Sequence, residues 1–183
     1  MVTRRDDALD AALALFAQQG YAATTTAQVE QAMGLRPGSG GLFRHVGSKQ
    51  ELLTASVERA MTRRHEPPTG PFDSAGQALA ASVLSLVDAD LDLWRLLIRD
   101  GNALPMDTDA LYAELVQPAF DQAVEWIGVN VGDSPGVRAR VIVGISALLY
   151  LRISQFTYGR SPASLDESEF IAVVEGIFEG VIL

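Results

Sequence analysis

The chain has 183 residues, 48% of them hydrophobic, and no cysteine, so it can bury the core of one large or two small domains, while disulfides and thiolate metal sites are excluded. The formal net charge is −9, and the longest nearly unbroken apolar run, Val141 to Leu151, has eleven residues, against the roughly 20 that a membrane-spanning helix needs. A soluble, cytoplasmic protein is therefore expected, and Arg4-Arg5 followed by Asp6, Asp7 and Asp10 does not read as a secretory signal.

A first helix is expected over 4–18, because Leu9, Ala12, Leu13 and Phe16 form one stripe at helical spacing. Gly20 ends it, and Tyr21 should pack into a small core. Thr25 and Gln28 have the spacing of a capping box, so a second helix should start at Thr26, with Val29, Ala32 and Met33 on its apolar face. Gly34 can take the left-handed conformation that stops a helix, with Leu35 packing back beneath it. Pro37, Gly38, Gly40 and Gly41 forbid an immediate restart. A further helix is predicted from Ser39 as N-cap to about Val46, and Gly47 breaks it. Ser48 and Glu51 make another capping box, opening a helix from Lys49 to about Arg64 that turns Leu53, Val57, Ala60 and Met61 inward. Helix, glycine turn, helix is the helix-turn-helix layout, whose second helix enters the DNA major groove.

Glu66-Pro67-Pro68-Thr69-Gly70-Pro71 is the clearest punctuation in the chain, and the domain boundary is expected there, separating 1–65 from 66–183. The second part reads all-helical. Asp73 or Ser74 caps a helix carrying Leu79, Val83, Leu86 and Val87. After a break at Asp88–Asp90, a short helix carries Leu93, Trp94, Leu97 and Ile98 and should stop at Gly101. Another starts at Asp107 or Thr108, and Pro118 inside it should kink or divide it. Ser134-Pro135 is an N-cap with proline at the first helical position of a long helix ending near Tyr158. Ser164 to Glu167 caps the last helix, which carries Phe170, Val173, Val174, Ile177, Phe178 and Val181. Gly176 and Gly180, four apart, would let another helix approach closely. These last two helices are more apolar than one buried face requires, so the pair is either buried in the monomer or half of an interface.

Charge is uneven along the chain. Residues 1–65 carry eight basic and six acidic side chains, a net of +2, whereas 66–183 carry six basic and 17 acidic, a net of −11. A local positive face can hold phosphates while the acidic body stays solvated. Both histidines lie in the first 65 residues, and no nucleophile triad, phosphate loop or metal-ligand spacing is present, which argues against an enzyme and implies no cofactor.

Ala12, Leu15-Phe16-Ala17, Gly20-Tyr21, Thr24-Thr25, Gly34-Leu35, Gly40-x-Leu42-Phe43-Arg44-His45 and Ser48-Lys49-x-x-Leu52, in that order over about residues 4–62, resemble the N-terminal domain of TetR-family transcriptional regulators. The chain departs from the common pattern in three places. Leu35 to Gly40 spans two residues more than usual, Phe43 stands where Tyr is common, and Val46 where Phe is common. The insertion leaves open which residues face the bases. The resemblance implies a homodimer made by two helices of each subunit (here about 136–158 and 166–182), and a pocket for a small, mostly apolar effector in the second domain.

The candidate DNA-binding residues are Thr25, Arg36, Ser39, Gly41, Phe43, Arg44, His45 and Lys49. Thr25 at a helix start can offer a hydroxyl and an N–H to a phosphate, or serve simply as a cap. Lys49, the only lysine, sits where a cation opposes the helix dipole, which favours a phosphate contact. Arg36 can pair with guanine, grip a phosphate or stay solvated, and Arg4-Arg5 can form an arm or nothing. For the effector, Trp94, Tyr112, Phe120, Trp126 and Arg152 are the candidates, each aromatic being equally readable as ordinary core. The expected protein is all-α: a helix-turn-helix DNA-binding domain plus a helical effector-binding and dimerisation domain, acting as a ligand-released repressor on a palindromic operator. The alternative is a helical ligand-binding dimer without sequence-specific DNA recognition.

Overall fold

The computed structural model describes residues 4–38, 46–63, 68–104, 108–130, 132 and 134–179. These residues form helices α1 (Arg4–Gln19), α2 (Thr26–Ala32), α3 (Lys49–Met61), α4 (Ala75–Ala89), α5 (Leu91–Asp100), α6 (Thr108–Leu111), α7 (Gln117–Asn130), α8 (Pro135–Tyr158) and α9 (Glu167–Glu179), with no strand among them. The chain divides into two compact units, Met1–Arg64 with Asp90–Thr108, and His65–Ala89 with Asp109–Leu183.

In the first unit α1 packs against α2, α3 and α5. The expected stripe is part of the core: Leu9, Ala12, Leu13 and Phe16 are buried, as are Leu52, Leu53 and Val57 of α3 and Leu93 and Leu96 of α5, the helices that pack on α1. Each such side chain contributes about 1.5–3 kcal/mol on leaving water. The packing differs from a single cut at residue 65/66, because α5 returns to this unit. The reason is the phase of its apolar stripe: Leu93 and Leu96 are fully buried, whereas Ile98 of the same helix is 46% exposed. Gly101 does not stop α5 in a left-handed turn. It keeps a right-handed conformation and leads into a 3-10 turn over Gly101–Ala103.

The second unit is a bundle in which α4 packs on α8 and α9, and α7 packs on α8. Leu79, Val83 and Leu84 of α4 meet Val141, Ile145 and Leu148 of α8 and Val174 of α9. The tightest helix approach is at Gly76, where a Cβ would lie 2.7 Å from the Glu175 Cα, so only glycine fits. Gly176 is exposed to open space, and Gly180 lies outside the described residues. Pro118 has the expected effect. The helix is divided into α6, a π-helical turn over Tyr112–Val116, and α7, so the departure from regular α-helix falls directly ahead of the proline, whose ring and missing N–H a regular helix interior does not accommodate. Ser134 caps α8 ahead of Pro135 as expected. Within the expected capping run Ser164–Glu167, the residue that caps α9 is Asp166: its carboxylate accepts the Ser168 N–H at 2.8 Å and hydroxyl at 2.5 Å. No described helix is long and apolar enough to cross a membrane.

Candidate nucleic-acid interface

Local capping chemistry builds the described parts of the segment from Gly20 to Lys49, residues 20–38 and 46–49. The Thr25 hydroxyl accepts the Gln28 N–H at 3.2 Å, while the Gln28 side-chain oxygen accepts the Thr25 N–H at 2.7 Å, so both halves of the capping box are made. Gln19 ties this start to the end of α1, donating to Thr24 Oγ1 and to Gln28 Oε1, each at 3.2 Å. Gly34, at φ +72°, closes α2: its N–H reaches the Gln31 carbonyl at 2.9 Å, and the Leu35 N–H reaches the Glu30 carbonyl at 2.8 Å. That pair of bonds is the Schellman stop, and half-buried Leu35 accompanies it.

Beyond it, the turn runs through exposed Arg36 and Pro37 to Gly38, whose N–H donates to the Glu30 carboxylate at 2.6 Å. Glu30 is only 2% exposed. Ser48 Oγ accepts the Glu51 N–H at 3.0 Å and starts α3 as expected, but the Glu51 carboxylate reaches the Gly47 N–H at 2.9 Å rather than that of Ser48.

The predicted site residues fare differently. Thr25 is exposed at the cap, with its hydroxyl engaged by Gln28. Arg36 is exposed and makes no hydrogen bond or ion pair among the described residues. Lys49, expected to need a phosphate, already has local partners: its ammonium lies 4.4 Å from the centre of the Tyr21 ring and donates to the Ala22 carbonyl at 3.2 Å. Ser39, Gly41, Phe43, Arg44 and His45, and with them the predicted 39–46 helix apart from buried Val46, lie outside the described residues.

The basic side chains of residues 1–65 are also partly paired internally. Arg59 pairs with Asp6 at 3.1 Å and Asp10 at 3.0 Å, and the Asp10 hydrogen bond raises its pKa above the usual value. Arg63 pairs with Asp10 and, at 3.6 Å, with Asp90. Arg4 and Arg5 begin α1 instead of forming an arm.

Three residues invisible to motif reading help hold this segment. The Asp100 carboxylate accepts the Tyr21 N–H at 2.9 Å, Arg99 donates to the Gln18 carbonyl at 2.8 Å, and Gln50 accepts the Tyr21 hydroxyl at 2.8 Å. The first two bonds span 79 and 81 residues, so no local pattern could announce them.

The effector candidates are distributed over both units. Trp94 belongs to the first unit, on α5, while Tyr112, Phe120, Trp126 and Arg152 belong to the second. Tyr112 is 51% exposed, Phe120 packs against the bundle core, and the Trp126 side chain lies outside the description. Arg152 is neutralised by acids. Its Nη2 donates to Asp88 at 3.0 Å and its Nη1 to Glu167 at 2.9 Å, while Nε lies 3.0 Å from Asp88 off the hydrogen-bond direction. Gln155 donates to Glu167 at 2.8 Å, and this bond, with Arg152 after it, holds the Glu167 carboxyl below its usual range. Among the described residues no cluster of His, Asp and Glu could hold a metal ion.

Residues 8–55 match the family model of the bacterial regulatory proteins, tetR family. Over 100% of both chains, the fold superimposes on a Rhodococcus sp. protein assigned to the TetR-family transcriptional regulators, with a TM-score of 0.64 and 20% identity. A TetR-like transcriptional regulator from Rhodococcus sp. RHA1 matches with a TM-score of 0.59 and 18% identity over 97% of this chain and 94% of that one. No curated protein matches the chain. Residues 8–55 are thus a TetR-type N-terminal segment, and the chain as a whole has the fold of TetR-family regulators.

Proposed function

We propose that this chain is a DNA-binding transcriptional regulator that acts as a homodimer on a two-fold-symmetric operator and is released by a small-molecule effector. The observation that carries the reading is the fully capped α2 with its Schellman stop and the separately capped start of α3, falling inside the matched segment 8–55. In this reading the 39–46 segment of each subunit enters the major groove of one half-site. Half-site centres then lie about 34–36 Å apart or at a multiple of that. Thr25 and Lys49 meet phosphate, and Arg36 is the candidate for a base edge. Lys49 can do so from its seat on Tyr21, because an ammonium has three donors and Ala22 takes one.

The dimer contact is assigned to α8 and α9. Their support is exposed apolar surface: Ile142, Val143 and Tyr150 on α8 and Val173 on α9 are 46–70% exposed. The effector is assigned to the second unit, where it must favour the state with the wrong separation of recognition segments.

Selection of bound fragments from a random DNA pool, followed by salt titration of the winner, tests this. A palindromic consensus with steep salt dependence is expected. Lys49→Ala should weaken binding to all sequences alike and lower the salt slope by about 1. Weak binding without a consensus would favour a helical ligand-binding dimer that lacks sequence recognition, a reading in keeping with the internal pairing of Arg59 and Arg63.

A further inference from the structure

Glu30 is a carboxylate in an awkward place. It lies near the C-terminal end of α2, where the helix dipole disfavours negative charge, and it is almost fully buried beside Val29, where an unbonded carboxylate is costly. Its surroundings explain how it is tolerated. The backbone carbonyl of Glu30 accepts the Leu35 N–H at 2.8 Å, and its side chain accepts the Gly38 N–H at 2.6 Å. A single residue therefore holds the described stretch of the turn at both Leu35 and Gly38. Gly38 has φ +74°, while a Cβ there would meet open space. Glycine is needed for its backbone conformation, the one that presents its N–H to the carboxylate, and not for room. Between the two anchors stand Arg36 and Pro37, both exposed, the proline with its φ fixed by its ring. Bonds from a backbone N–H to a carboxylate are among the strong ones. A turn ordered before binding spares the complex the cost of ordering it.

We propose that Glu30 is a positioning residue for base readout: by holding the Gly38 amide it fixes the two-residue-longer turn and aims Arg36. This rests on the DNA-binding reading above.

The test uses Glu30→Leu, which removes the acceptor but keeps the bulk, and Glu30→Gln, which restores an acceptor. Each is measured for helix content, for exchange of the Gly38 amide without DNA, and for base preference in selected DNA. In Glu30→Leu the Gly38 amide should exchange faster. Preference at one base pair per half-site should relax by about 5- to 150-fold, with the salt slope unchanged. Glu30→Gln should recover most of both, which a merely structural role would not require. If Glu30→Leu does not fold, Gly38→Pro removes the N–H of the same bond from the exposed side, leaves the α2 core intact, and should give the same relaxed preference. An unaltered binding preference in a folded variant that has lost the bond overturns the proposal, as does unchanged Gly38 exchange in Glu30→Leu. If the unmodified protein selects no consensus, the DNA reading fails and the positioning role fails with it. Gly38 exchange then still separates that outcome from the absence of the Glu30 clip.

Discussion

In the unit formed by Met1–Arg64 and Asp90–Thr108, charged side chains reach particular atoms far along the chain. Asp100 holds the Tyr21 amide, Arg99 the end of α1, and Arg59 and Arg63 the acids of α1. In the unit of His65–Ala89 and Asp109–Leu183, the helices meet mainly through aliphatic side chains. The main polar cluster is at Arg152, and apolar residues of α8 and α9 are left facing outward. The contrast teaches what each unit has to hold. Directional bonds define positions to within a fraction of an ångström, as the proposed contact with a regular duplex would require. Non-directional apolar packing defines a volume, and it allows surface to remain for a partner.

The contrast can be broken most forcefully at the outward apolar face. Val143→Asp would place an unpaired charge in the proposed dimer contact. It should weaken association by about 3–5 kcal/mol, roughly two to four orders of magnitude, read by sedimentation across a dilution series. An undiminished dimer would move the interface off this part of α8.

Phe16→Ala asks whether the first unit also depends on packing beneath its polar clips. Phe16 is fully buried, and its loss should lower unfolding free energy by about 3–5 kcal/mol, measured by denaturant titration. A smaller change would mean that the polar clips carry more of that unit than its core does.

Asp100→Ala sharpens the comparison by removing one clip. The Tyr21 amide loses its acceptor, at a cost of about 1–3 kcal/mol, and its hydrogen exchange should quicken while exchange in α8 does not. Uniform quickening across both units would show that the clip is not a local device.

The smallest expected effect is on pH dependence in the second unit. The Glu167 pKa is lowered by the Gln155 hydrogen bond and by Arg152, so the folded state holds its proton less tightly than the unfolded chain. Its contribution to stability is complete above the ordinary glutamate range and is lost as pH falls through the lowered folded-state pKa. Glu167→Gln should flatten that acid limb of a stability-versus-pH curve and leave the neutral region's slope unchanged.

Much of this protein was determined by short-range sequence. Thr25 with Gln28, Gly34, Ser48 and Ser134-Pro135 each act within one helical turn, so capping and backbone conformation place both ends of α2 and the starts of α3 and α8 without reference to the rest of the chain. The α1 stripe and the division at Pro118 were legible for the same reason. What only the tertiary structure decided depends on neighbours distant in sequence. Such features are the return of α5 to the first unit, the seat of Lys49 on Tyr21, the pairing of Arg152 with Asp88 and Glu167, and the Gly76 contact with Glu175. The buried Glu30 stands between the two. Its bond to Gly38 spans eight residues and needed the turn to fold back before a carboxylate on the inner side of α2 had a physical reason to be there.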